Sequence, residues 1–449
     1  MNFENEFLPK YVTKTLPQLT EKENEDYQKI KEQIIQLSLN DQNLDLNDKK
    51  IKELLNNSNN SPHIQEKLFL DINGYGKINN LLHDDNLEEI MVIGSNKPVY
   101  VYHRTKGMMI TDIIIKESEI KQIIEKIATQ IQRKIDKQTP ILDARLPDGS
   151  RVNATIPPIT PDGSTLTIRK FKKEPYTIFD LIKSKTLNTH LASFLWIAIE
   201  GLHILPSNLI ISGGTSSGKT TTLNTLTSFI PPSERIITIE DTLELQLPHS
   251  HLIRTETRPP NIEGKGEVTM DLLLKNSLRQ RPDRIIVGEV RSKEAITLFS
   301  ALNTGHSGMG TLHANSTKET ITRLINEPMN VPNIMINSID FIIMQKRIYV
   351  PNKGTIRRIT EVDEIVGMEM DNLQLNKIYQ YNPSKDELEY TAISCNAIDQ
   401  IAMMKGISHK QIIKEFERRK KYLEENMQND LNITEVQRII NNYYKSNDN

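Results

Sequence analysis

The sequence predicts an α/β protein: a doubly covered parallel sheet preceded by a smaller α+β domain, with helical extensions at both ends. Three observations carry this reading. From about Leu187 onward, short apolar runs alternate with helical stretches, the order that builds a parallel sheet covered on both faces. Those runs are apolar at nearly every position, as strands buried on both faces are. One of them leads directly into a glycine-rich loop and then a helix, the setting of a phosphate-binding turn.

At 449 residues the chain exceeds one ordinary core. Composition shifts divide it into a polar helical extension (1–61), an α+β domain (62–175), a P-loop domain (176–392) and a C-terminal helical extension (393–449). Hydrophobic residues at 37% and charged residues at 25% fit a globular protein with a polar surface. A net charge of −2 provides no global basic field, which argues against nucleic acid as a partner. The single cysteine, Cys395, excludes an internal disulfide framework or a multi-cysteine zinc site and is expected to be a buried, inert thiol. The first residues lack the apolar core of a signal peptide, and no apolar run approaches the roughly 20 residues of a membrane span. The expected setting is cytoplasmic, with any membrane contact made through a partner.

In chain order, Tyr27, Ile30, Ile34 and Leu37 share one helical face. LSLNDQNLDLNDKK and LLNNSNNSP then read as loop and linker. Residues 90–93 and 99–102 read as strands about the turn GSNKP, and 117–135 as a helix. DARLPDGSRVNATIPP and GSTLTIRKF read as further strands, and KKEPYTIFDLIKSK as a hinge. The candidate parallel strands are 209–212, 235–240, 284–289, 309–314 and 339–345. TIRRITEVDEIVGME and LQLNKIYQYN read as a terminal antiparallel hairpin, and the last fifty residues as helices. Ser408 with Gln411, and Thr434 with Gln437, have the spacing of helix-start capping boxes.

The segment NLIISGGTSSGKTTTLNTL holds Gly213-x-x-x-x-Gly218-Lys219-Thr220 between a strand and a helix. Glycines let successive backbone N–H groups turn toward a phosphate, and the helix presents its positive end to the anion. Gly213, Gly214, Thr215, Ser216, Ser217, Gly218, Lys219, Thr220 and Thr221 are therefore the candidate nucleotide-binding residues. Lys219 is placed to reach the β- and γ-phosphates of ATP, and the Thr220 hydroxyl to ligate Mg²⁺.

Hydrolysis needs further groups, and two acidic strand ends supply candidates: Glu240, followed by Asp241 and Glu244, and Glu289, followed by Arg291. In a doubly wound sheet the C-terminal strand ends converge on the ligand crevice. One glutamate can activate water while the other, with Glu240 as the candidate metal-side residue, helps hold hydrated Mg²⁺. Asp241 and Glu244 also suit helix-start caps. The usual metal-holding aspartate is replaced by Gly288-Glu289. The loop TGHSGMGTLHANS carries His306 and His313, and a strand-end histidine such as His313 can donate to a γ-phosphate. Arg254, Arg258, Arg279, Arg281, Arg284 and Arg291, with Arg145, Arg151 and Arg169 upstream, include candidates for an arginine delivered across a subunit boundary.

GGTSSGKT, TIEDTLEL, LRQRPDRIIVGEVR and TGHSGMGTLHANS, in that order, resemble the Walker A, Asp box, Walker B and His box of the type II/IV secretion ATPases. GYGKINNLLHDDNLEEIMV and DGSRVNATIPP are similar to the N-terminal domain of the CpaF/TadA branch. This resemblance spans residues 62–390. It implies a RecA-like hexameric motor that holds ATP between its two domains and acts on a polytopic membrane platform protein of a pilus or secretion system, peripheral to the cytoplasmic face. It assigns Lys219 and Thr220 to phosphate and Mg²⁺, Glu240 and Glu289 to the acidic boxes, and His313 to the His box. Two features depart from the family: there is no tetracysteine module, and Ser292 stands where a glycine is common. A RecA-like nucleic-acid translocase and an ATP-binding scaffold with little turnover remain as alternatives.

Overall fold

The computed structural model describes residues 8–13, 19–40, 63, 64, 68, 74–131, 133–172, 174–260, 264–351, 354–369, 372–392, 394–428 and 431–447. The chain forms two compact units, Met1–Lys172 and Lys173–Asn449. Among the described residues no helix is long and apolar enough to cross a membrane.

The first unit contains β1 (Lys10–Tyr11), α1 (Glu21–Asn40), α2 (Asn79–Leu82), β2 (Leu87–Val92), β3 (Pro98–His103), β4 (Gly107–Ile114), α3 (Glu117–Gln130), β5 (Ile141–Arg145), β6 (Arg151–Thr155) and β7 (Thr165–Arg169). Its strands form one sheet in the order β1-β4-β3-β2-β7-β6-β5, antiparallel except where β1 joins β4. Alternate residues such as Ile90, Val101, Val152 and Ile168 face a core closed by Ile120, Ile124 and Ile127 of α3. Helix α3 stops at Gln130, short of the expected 135, because Arg133 N–H reaches back to the Ala128 carbonyl and closes the last turn. In α1, Tyr27 and Ile30 are buried with Ile64 and Leu68. The side chains of Ile34 and Leu37 lie outside the described residues. The helix runs to Asn40, so LSLN is helical rather than loop: no Gly or Pro interrupts it. The rest of the expected linker, 41–62, lies outside the described residues.

The second unit begins with α4 (Ile178–Lys183) and α5 (Thr189–Glu200). The expected hinge is therefore partly helical. Thr177 and Asp180 cap α4 reciprocally, and its Ile178, Phe179 and Leu181 are buried. There follow β8 (Leu209–Gly213), α6 (Lys219–Leu226), β9 (Ile236–Glu240), β10 (Leu252–Glu256), α7 (Met270–Ser277), β11 (Arg284–Val287), α8 (Glu294–Asn303), β12 (Ser307–Leu312), α9 (Thr317–Ile325), α10 (Asn333–Ile336) and β13 (Phe341–Val350). The unit closes with β14 (Gly354–Glu369), β15 (Asn372–Asn382), β16 (Glu387–Tyr390), α11 (Asn396–Lys405), α12 (His409–Glu425) and α13 (Ile433–Asn447).

These strands form a single sheet in the order β10-β9-β11-β12-β8-β13-β14-β15-β16. It is parallel from β10 to β13 and antiparallel beyond. The expected hairpin of β14 and β15 is thus an extension of the main sheet. Both faces are buried: Leu209 and Ile211 join the cluster of Trp196, Phe229 and Phe341, while Ile210 joins that of Leu298, Phe299 and Leu324. The C-terminal helices share the first of these clusters. Tyr444 of α13 accepts the Trp196 indole N–H at 2.8 Å and donates to the Phe229 carbonyl at 3.2 Å. Ser408 and Gln411 form the expected cap of α12. The cap of α13 is instead Asn432 with Glu435, because the helix starts at Ile433 and already contains Thr434. Cys395 is buried and donates to Glu364 Oε1 at 3.4 Å, and burial pushes its thiol well above the usual range.

Candidate active site

Adjacent parallel strands bring their C-terminal ends into one row. Ile239 of β9 is in register with Val287 of β11, Val287 with Gly310 of β12, Leu312 with Ser212 of β8, and Gly213 with Gln345 of β13. The row therefore presents Glu240, Gly288-Glu289, His313, the phosphate loop and Gln345 side by side, at the edge where a doubly wound sheet binds ligands.

Ser216 and Gly218 take left-handed φ values of 57° and 95°, and α6 starts at Lys219. Lys219 Nζ donates to the Gly213 and Gly214 carbonyls at 3.0 and 3.1 Å and lies 3.4 Å from His313 Nε2. Thr220 and Thr221 follow in the first turn of α6, whose N-terminal end faces the loop.

Glu289 is the hub of the polar contacts. Its Oε2 accepts from Arg291 at 2.7 Å, and its Oε1 lies 3.3 Å from His313 Nε2. Arg291 also donates to Asp241 at 3.1 Å, so Asp241 acts as its second anchor. Burial pushes the Glu289 pKa up, but the Arg291 hydrogen bond and charge, with His313 and Lys219, outweigh it and leave the carboxyl below its ordinary value. Burial and the charge of Lys219 lower the His313 pKa, which favours the neutral ring. Lys219, His313, Glu289 and Arg291 thus form one connected chain of polar groups.

Glu240 lies at the same edge in a different setting. It is 2% exposed, and its Oε2 accepts the backbone N–H groups of Glu244 and Leu245 at 2.7 and 2.9 Å. Its Oε1 is buried with no hydrogen-bond partner among the described residues. Burial raises its pKa to about 7, against the pull of those N–H groups and of Arg254. A Cβ at Gly288 would come within 3.1 Å of Glu240 Cγ, so glycine at that strand end makes room for this carboxyl. Glu244 contributes through its backbone to the turn that Glu240 holds.

Other candidates fall elsewhere. His306 stands at the start of β12, a strand's length from His313, with Nδ1 3.3 Å from the Ala301 carbonyl. Arg284 is buried in an ion pair with Glu234. Arg258 and Arg279 bond to Gly266 O and Asn276 Oδ1. Arg145, Arg151 and Arg169 belong to the first unit, in register across β5, β6 and β7. Two residues at the phosphate loop escaped sequence reasoning. Gln345 closes the β13 end of the row, and Arg357 of β14 donates to the Ser216 carbonyl at 3.1 Å. The signal for Gln345 was a polar residue ending the apolar run IDFIIMQ, the pattern that marked Glu240.

Hydroxyl and carboxylate oxygens are the donors Mg²⁺ takes. Thr220 beside Lys219, and Glu240 with its unpartnered Oε1, fit that ion.

The chain is 35% identical to the uncharacterized protein MJ0781 of Methanocaldococcus jannaschii, over 79% of its own length and 73% of the relative's. It is 31% identical to protein VirB11 of Agrobacterium fabrum over 55% of this chain and 77% of that one. The solved Legionella pneumophila ATPase DotB is 18% identical, with a TM-score of 0.47 over 85% of this chain and 96% of DotB. The family model for type II/IV secretion system proteins matches residues 72–446, running past the motifs through the C-terminal helices. With its phosphate loop, acidic strand ends and histidine strand end in one row, the chain belongs to the type II/IV secretion ATPase family.

Proposed function

We propose that the chain is a homohexameric motor, peripheral to the cytoplasmic face of a membrane, that hydrolyses Mg²⁺-ATP to drive pilus assembly or secretion through a polytopic platform protein. The observation that carries this reading is the connected chain Lys219–His313–Glu289–Arg291 beside the phosphate loop.

In this scheme the loop N–H groups and Lys219 hold the β- and γ-phosphates. Bound Mg²⁺ would neutralise phosphate charge, held on the protein side by Thr220 and Glu240. Glu289, kept ionised by Arg291, accepts a proton from the attacking water. Neutral His313 stands between Lys219 and Glu289, where it can donate to the γ-phosphate and signal its departure. Arg145, Arg151 and Arg169 lie in register across β5, β6 and β7, with Glu89 of β2 opposite Arg169. One of them is the candidate for an arginine lent to a neighbouring subunit's ATP.

The test is phosphate release by the purified chain together with its size with and without ATP. A hexameric motor should show Mg²⁺-dependent turnover, a ring of six in ATP, and loss of turnover by about a hundredfold or more in K219A. Full activity in K219A, or a monomer that hydrolyses at the same rate at every protein concentration, contradicts it.

A further inference from the structure

The chemistry of the row gives β13 and β14 no role, yet both reach the phosphate loop. Gln345 is 1% exposed, sits in register with Gly213, and carries a buried Oε1 with no hydrogen-bond partner among the described residues. A Cβ at Gly213 would stand 2.1 Å from the Gln345 carbonyl oxygen. A Cβ at Gly218 would stand 3.0 Å from Gln345 Nε2 and 3.1 Å from Arg357 Cδ. Gly213 is therefore pressed against the Gln345 backbone, and Gly218 against the side chains of Gln345 and Arg357. Arg357 adds a hydrogen bond from Nε to the carbonyl of Ser216, the one non-glycine residue of the loop in the left-handed region.

A phosphate loop works only while its N–H groups point inward, and Ser216 adopts the required φ of 57° reluctantly. We infer that Gln345 and Arg357 are positioning residues that brace the phosphate loop from its rear, so that its anion-binding shape is set by β13 and β14 as well as by its own glycines. The register of β13 against β14 shifts between Met344 and Gln345, which places the irregularity at the brace. Beyond it the two strands run on as a ribbon from the Gln345–Ile359 pair to the Val350–Gly354 pair, with Tyr349 75% exposed. The brace is thus also the root of that ribbon, and a bend in the ribbon would be transmitted to the loop.

The inference rests on the reading that the loop binds ATP. The backbone N–H groups of the loop, unlike the Lys219 charge, hold the phosphates alike in ground and transition states, so loosening them removes uniform binding and raises KM rather than lowering kcat. The experiment measures steady-state ATPase, equilibrium binding of a fluorescent ADP analogue, and melting without nucleotide, for the full chain and its R357A and R357K variants. R357A should raise both KM and Kd by about tenfold with kcat within about twofold. R357K, which keeps one donor for Ser216, should recover most of that loss. The melting temperature without nucleotide should stay within about 3 °C of wild type. Wild-type KM and Kd in R357A overturn the brace, as does a fall in kcat with KM unchanged. Should R357A fail to fold, Q345L takes its place with the same expected split. Failure of the wild-type chain itself to bind the analogue overturns the nucleotide reading instead, which keeps the two failures distinct.

Discussion

The ends of β9 and β11 are neighbours carrying the same residue type in opposite surroundings. Glu289 is held by an arginine and faces a histidine and the loop lysine, and its carboxyl stays below the ordinary range. Glu240 is enclosed, bonded to the backbone of its own turn, and raised to about 7. The environment has divided two chemically identical groups into a committed anion and a group that exchanges its proton near neutrality. Proximity to the loop in sequence could not separate them, and burial with partner charge does.

Removing the Glu289 carboxylate should have the largest effect. E289Q should lower kcat by about 10²–10³-fold while nucleotide binding persists. A smaller effect is expected from R291A, of about tenfold in kcat/KM at neutral pH. Burial would then act on Glu289 with less opposition, so its pKa rises. The acid limb of the pH–rate profile should move to higher pH in R291A, and an unmoved limb would mean that Arg291 does not hold Glu289 ionised.

The smallest effect concerns stability. The folded pKa of Glu240 is raised, so its contribution is fully present below its ordinary value near 4.5 and is lost as pH rises through about 7. Without nucleotide, the wild-type melting temperature should fall relative to E240Q by a few degrees between pH 5 and 8 (on the order of 3 kcal/mol for the full shift). Burial also raises Asp340 and Asp363, to about 6, but both are present in each protein and cancel in the comparison. Parallel melting curves for the two proteins across that range would show that Glu240 is not the strained acid described.

Much of the second unit was legible because burial on both faces writes itself as apolar runs. Strands β8, β9, β11, β12 and β13 all lie where Leu209, Ile236, Ile285, Met309 and Phe341 announce them. Edge strand β10 is not legible because LIRTE has only two apolar residues, both at its start, and is only half-buried. Strand β4 escaped notice as well, since Met109 alone of its apolar residues is fully buried. In the candidate site, strand ends and motif spacing point to Lys219, Glu289 and His313, which the fold brings into contact. Arg291 as the partner of Glu289, and Arg357 as the partner of Ser216, depend on folding across 2 and 141 residues of separation and on which way each side chain turns. Charge alone did not distinguish Arg291 from the buried structural Arg284.

Glu289 is proposed to act in hydrolysis rather than in binding. Phosphate release and ATP affinity measured on the same preparation of E289Q separate the two. The expected result is ATP bound within about threefold of the wild-type Kd and turnover reduced by about a hundredfold or more. Wild-type turnover in E289Q, or affinity lost in step with turnover, would contradict it.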